Sequence, residues 1–120
     1  MTVRELYVIA SAFIGDREND DRDNRDLSIP YMNVLLQEAL GTENTIRQRD
    51  GEMELEYAQF VTDLDDELTY HDCIVRAAFP YGLAWQYHQE AGNLSLASQY
   101  RNMYIDALDE NRCFNIRSMK

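Results

Sequence analysis

In the stretch AAFPYGLAWQYH, residues 77 to 88, a proline and a glycine interrupt what otherwise reads as a buried helix. Proline inside a helix removes a hydrogen bond and clashes with the carbonyl four residues back, costing about 3 kcal/mol, and glycine adds up to about 1 kcal/mol. A chain of 120 residues that is 45% apolar and 11% aromatic can bury one core. Packing within that core, or against another molecule, must therefore offset the cost at Pro80 and Gly82. A kink at Pro80 lets the helix bend around a neighbour. Gly82, with Ala78 and Ala84 nearby, lets another backbone approach closely, and small residues at such a crossing bring many other atoms into contact.

Helical spacing organises the rest. Val3, Leu6, Tyr7, Ala10, Phe13 and Ile14 share one face of a first helix, opened by a capping box of Thr2 and Glu5 and stopped by Gly15. Residues 16–26, DRENDDRDNRD, contain no apolar side chain and read as an exposed loop. A second helix runs from near Ser28 towards Arg49, with Pro30 in its first turn, Asp26 or Ser28 as cap, and Met32, Leu35, Leu36, Ala39 and Leu40 on the apolar face. In EMELEYAQF, Met53, Leu55 and Tyr57 alternate with glutamates, which predicts a short strand or hairpin within an excursion over about 50–68. A third helix is expected from Thr69, with Asp72 completing its cap. Gly92-Asn93 then leads into a fourth helix that ends near Arg112.

The expected fold is thus mainly α: a four-helix bundle-like single domain over residues 1–112, with a short β excursion between helices 2 and 3 and a flexible tail at 113–120. No apolar run approaches the roughly 18 residues of a membrane span, and the N-terminus reads as a helix rather than a signal peptide, so a soluble chain made inside the cell is expected. Cys73 and Cys113 are too few for a disulfide scaffold and read as thiols.

The search for chemistry finds no phosphate loop, no C-x-x-C, no HExxH and no GxSxG, so no catalytic residue, cofactor or metal site is assigned. His71, Asp72, Cys73 and His88 do not converge as a zinc site requires, because positions 71 and 73 of a helix point to different sides. The run Asp63, Asp65, Asp66, Glu67 lacks the frame of a calcium loop and reads as a solvated acidic turn. Trp85, Tyr81, Tyr87, Tyr100 and Tyr104 read as core aromatics in preference to a ligand pocket. In the tail, Cys113, Phe114, Ile116, Arg117 and Lys120 form a candidate assembly interface, apolar anchors beside the chain's one basic end.

The segment LDDELTYHDCIVRAAFPYGLAWQYHQEAGNLSLASQYRNMYIDAL resembles the head-tail connector, or adaptor, proteins of long-tailed double-stranded DNA bacteriophages. The resemblance rests on Leu64-Asp65-Asp66-Glu67-Leu68, on Pro80-Tyr81-Gly82-Leu83-Ala84, and on Tyr100, Asn102 and Tyr104. It implies a non-enzymatic virion protein of the neck, made in the host bacterial cytoplasm and assembled as a ring of about twelve copies on the portal protein. A downstream neck or tail-completion protein would sit below it, and DNA would pass through the lumen. Without the resemblance, the residues describe a small acidic helical interaction or regulatory protein, such as an inhibitor that mimics DNA charge.

The net charge of -11 is concentrated in two connections. Residues 16–26 hold six acids and three arginines, and residues 50–72 hold nine acids and neither Lys nor Arg. This is the opposite of the basic footprint that grips phosphates. The chain is therefore expected to give no mobility shift with duplex DNA at micromolar protein and about 150 mM salt; a retained duplex would overturn the charge argument.

Overall fold

The structure, a computed structural model, describes residues 1–15 and 25–118, with side chains described as far as residue 110. Six helices are assigned among the described residues: α1 (Val3–Ile14), α2 (Ser28–Glu38), α3 (Leu40–Arg49), α4 (Asp72–Ala77), α5 (Phe79–Glu90) and α6 (Leu94–Ser118). The fold is mainly helical and compact, and no helix among the described residues is long and apolar enough to cross a membrane.

Local signals place the first and last turns. Thr2 Oγ1 accepts from the Glu5 N–H at 3.1 Å and Glu5 Oε1 accepts from the Thr2 N–H at 3.0 Å, which completes the expected capping box. Gly15 closes α1, and the Gly92-Asn93 turn folds α6 back along α5. Elsewhere tertiary structure overrides them. The expected second helix divides at Ala39 into α2 and α3, and its cap is neither Asp26 nor Ser28: Leu27 stands at the N-cap without a side-chain bond, while Ser28 Oγ donates to the Arg25 carbonyl. The expected third helix starts at Asp72 rather than Thr69, because the Gln59 side chain takes both the N–H and the hydroxyl of Thr69.

α5 is the axis of the fold, packed against α1, α2, α4 and α6. Phe79, Pro80, Gly82, Leu83, Ala84, Tyr87 and His88 are all buried on it, so nearly its whole circumference faces protein. The chain breaks at Ala78 instead of bending at Pro80, and Pro80 lands in the first turn of the new helix, where a missing N–H costs little. Gly82 supplies the close approach. A Cβ there would lie 2.7 and 3.0 Å from the two methyls of Leu35 on α2 and 3.2 Å from a ring carbon of Tyr104 on α6. The approaching groups are side chains of this same chain, both fully buried.

No strand forms among the described residues. The expected hairpin over 50–68 is absent, and the sole pairing is an isolated bridge between Thr2 and Glu67. Apolar contact with the core is made by Leu55, Ala58 and Val61, a spacing of three that a strand of period two cannot provide. Of the charged segment 16–26, residues 16–24 lie outside the described residues. Arg25 and Asp26 are helical.

Gly82→Leu tests the packing. Leucine is the better helix former by up to about 1 kcal/mol, so an open site would gain stability. Overpacking against Leu35 and Tyr104 is expected to cost about 1–3 kcal/mol instead, read as a fall in melting temperature; a rise would show that the site has room.

Candidate functional site

Residues 50–71 cross the molecule without regular structure, so their backbone polar groups need partners from elsewhere. Two asparagines act as substitutes for a neighbouring strand. Asn44 on α3 receives the Leu55 N–H on Oδ1 at 2.8 Å and donates Nδ2 to the Leu55 carbonyl at 3.0 Å. Asn33 on α2 does the same for Val61, at 2.8 and 2.9 Å. Gln59 bridges the two arms of the segment, accepting from the Thr69 N–H and donating to the Glu67 carbonyl at 2.7 Å.

The run Leu64-Asp65-Asp66-Glu67-Leu68 has a structural task that its charge conceals. The Leu64 and Asp66 carbonyls accept the Arg4 and Val3 N–H groups at 2.8 and 3.2 Å, two of the four donors that the start of α1 leaves open. Asp66 Oδ2 takes the N–H groups of Thr62 and Asp63, Asp63 Oδ1 takes that of Asp65, and Arg4 pairs with Asp65. Leu64 and Leu68 are buried beneath. The acidic run is therefore a turn whose carbonyls dock on α1 while the side chains of Asp63, Asp65 and Glu67 stay exposed, as a solvated turn requires.

Around these anchors the segment points outwards. Met53 is 87% exposed, Tyr57 80% and Phe60 74%, the three most exposed large apolar side chains among the described residues. Only Leu55 of the alternating set turns towards the core; Met53 and Tyr57 face solvent with Glu52, Glu54 and Glu56. Exposed apolar side chains grouped on one segment and rimmed by charge are the usual mark of an interaction surface.

A second cluster lies where the segment begins. Glu43 on α3 is fully buried and accepts from Arg47, from the His71 N–H at 2.8 Å and from His71 Nδ1 at 3.0 Å. His71 Nε2 faces Glu52 Oε1 at 2.9 Å and Asp50 Oδ2 at 3.8 Å. Burial lowers the His71 pKa, but the hydrogen bonds to Glu43 and Glu52 outweigh it and hold the ring above its ordinary value.

The residues singled out in the sequence scatter over these features. Pro80, Gly82 and Ala84 are buried in the core. Half-buried Tyr81 stacks on Tyr100, with ring centroids 6.4 Å apart, and with Pro80 lines a shallow cleft of about 310 Å³ shared with Ile9, Phe13, Arg76 and Ala77. Trp85 stacks on Tyr104 and carries Arg101 over its face at 4.2 Å, while Tyr87 meets Tyr7 and Tyr31; Tyr87 and Tyr104 are buried in the core as expected, whereas Tyr81, Trp85 and Tyr100 are half-buried at its edge. His88 is buried, its Nε2 donating to the Phe13 carbonyl at 2.9 Å, on a different part of the fold from the His71 cluster. The backbone of α6 includes Cys113, Phe114, Ile116 and Arg117, whose side chains lie outside the described residues, as does Lys120 entirely.

Sequence reasoning missed the exposed trio because alternation reports two unlike faces without saying which is covered. It missed the Glu43 cluster because its members lie 28 residues apart.

Asn33→Ala should lower the unfolding free energy by about 1–3 kcal/mol, since it strands the backbone groups of Val61. In hydrogen exchange it should speed the Val61 amide while leaving Leu55 protected. Equal loss at both positions would show that the two clamps are not separate.

No family model, curated protein or solved structure matches the chain.

Proposed function

We propose that this chain is a head-tail connector subunit of a long-tailed bacteriophage, a non-enzymatic virion protein whose copies form a ring on the portal. The observation that carries the reading is the segment 52–60, held to the core by amide clamps yet presenting Met53, Tyr57 and Phe60 to solvent. A chain with no partner gains nothing by fixing apolar side chains in water; a subunit that docks repeatedly does. The resemblance at Pro80-Tyr81-Gly82-Leu83-Ala84 supplies the class of assembly, in which α1, α2, α5 and α6 would be the four helices of the bundle.

Charge selects the partner of this segment. Glu52, Glu54 and Glu56 lie among the three apolar side chains on a chain of net charge -11, so a second copy would be repelled. A surface offering apolar pockets rimmed by Lys or Arg fits better, and we assign it to the portal protein, with the downstream neck protein on the opposite side of the ring. The same acidity suits a conduit, because a lumen that bound phosphates would retain the DNA that must pass.

The test mixes the purified chain with its portal and images the product by negative stain. Annular particles with added density on the portal are expected. Replacing Met53, Tyr57 and Phe60 together with serine should abolish that density and leave the melting temperature within a few degrees, since none of the three supports the core. Undiminished docking would overturn the assignment of the segment, and a tight one-to-one complex with a basic enzyme in place of rings would favour the acidic-inhibitor reading.

A further inference from the structure

The cluster at the root of the exposed segment gathers three carboxylates around one imidazole. Glu43 receives an N–H from the backbone, a guanidinium and the imidazole, and a carboxylate acceptor at Nδ1 fixes the proton there. In the neutral imidazole the Nε2 lone pair then points at Glu52 and Asp50, which are also acceptors. Three electron pairs converge on one point. A proton on Nε2 answers Glu52 at 2.9 Å but does not reach Asp50 at 3.8 Å.

The geometry points to a divalent transition-metal site, with His71 Nε2, a Glu52 oxygen and an Asp50 oxygen as ligands and Glu43 as the carboxylate that orients the imidazole. A tetrahedral centre with bonds of about 2.0–2.1 Å holds its ligands about 3.3–3.4 Å apart. The separations of 2.9 and 3.8 Å from Nε2 bracket that value, and the three donor atoms all lie within 4.8 Å of one another. Small rotations of two exposed carboxylates suffice to close the set, leaving a fourth position for water. The buried carboxylate on the far ring nitrogen is the partner that metal-binding histidines ordinarily have, and it fixes ring plane and tautomer before any ion arrives.

Backbone geometry favours the same point. Gly51 has φ 77, a left-handed conformation that turns the chain between Asp50 and Glu52 so that both reach one imidazole. Counting Glu43, Asp50 and Glu52 against Arg47, the cluster with neutral His71 has an excess of two negative charges, which one divalent cation neutralises. Mixed imidazole and carboxylate donors suit zinc, with cobalt(II) as its spectroscopic substitute, better than calcium or magnesium. The site stands independently of the assembly reading. Its consequence in this fold is to tie the start of the exposed segment to the N-terminus of α4.

Zinc chloride and cobalt(II) chloride, titrated into the full chain prepared without a polyhistidine tag, test the site. Calorimetry should show saturable binding of one zinc ion per chain, cobalt(II) should give the visible absorption of a tetrahedral complex, and zinc should raise the melting temperature. Glu52→Gln and Asp50→Asn, both at exposed positions, should each weaken zinc by about tenfold or more, and Glu52→His should retain it. In nitrogen-resolved NMR, zinc should move His71 Nε2 far more than Nδ1. Absence of saturable binding into the millimolar range overturns the site, as does affinity that survives both substitutions or falls instead when Asp63 and Asp65 are neutralised.

Discussion

Every polar group of a buried backbone must find a partner, and in this molecule that requirement falls hardest on the connection between α3 and α4. Residues 50–71 connect α3 to α4 without a ladder of their own. Their bonds go to side-chain amides of Asn33, Asn44 and Gln59 and to the open N–H groups at the start of α1. Each partner serves two elements. The turn around Asp65 gives α1 acceptors for its first donors, and α1 in return fixes the turn. Asn33 ties α2 to Val61, and Asn44 ties α3 to Leu55. A connection of this kind is held at its anchors while the side chains beside them stay in solvent, and that is where Met53, Tyr57 and Phe60 stand.

The helices meet the same demand through α5. Because α1, α2, α4 and α6 all pack on it, its residues are selected for fit more than for helix propensity. Gly82 admits the Leu35 methyls and the Tyr104 ring at distances that a Cβ would forbid. The break at Ala78 gives Pro80 a first turn to occupy, so the residue that looked most costly sits where its cost is least. Tyr70 extends the pattern to the connection: its buried hydroxyl donates to the Leu36 carbonyl at 2.6 Å, and burial pushes its pKa up to about 12.

What was legible in the sequence was what short-range chemistry decides. The Thr2 and Glu5 box, the stop at Gly15, the turn at Gly92-Asn93 and the Val3, Leu6, Tyr7 and Ala10 face of α1 all depend on residues within a few positions of one another, and they formed as expected. The strand did not, because Met53, Leu55 and Tyr57 alternate with acids for another reason: only Leu55 is anchored, and its anchor is Asn44, eleven positions away. An asparagine on a helix gives no sign in sequence that it will pair with a distant backbone. The acidic run at 63–67 keeps most of its charge in solvent as expected, but its docking was hidden for a related reason, since the carbonyls between the charges are what α1 requires. His71 was weighed only with Asp72, Cys73 and His88, because its partners Glu43 and Glu52 lie on other elements.

The arrangement of the 50–71 connection bears directly on how such a chain would bind. Ordering a flexible loop at an interface costs about 0.5–1.5 kcal/mol for each side chain immobilised, with backbone ordering in addition. Here Leu55 and Val61 are already fixed by four hydrogen bonds to two helices, so the backbone on either side of Tyr57 is in place before a partner arrives. The remaining cost is that of a few rotamers. Exposure of the apolar trio to water is the penalty of that arrangement, and the interleaved Glu52, Glu54 and Glu56 limit it by keeping like copies apart. At the root of the segment, the carboxylates of Asp50 and Glu52 meet an imidazole held by Glu43 from below. Any positive charge bound there would draw the first exposed residue back towards α4 and shorten the free run that follows. A backbone held on either side of Tyr57 and side chains left in solvent therefore follow from one set of residues, whose partners are supplied by the helices that build the core.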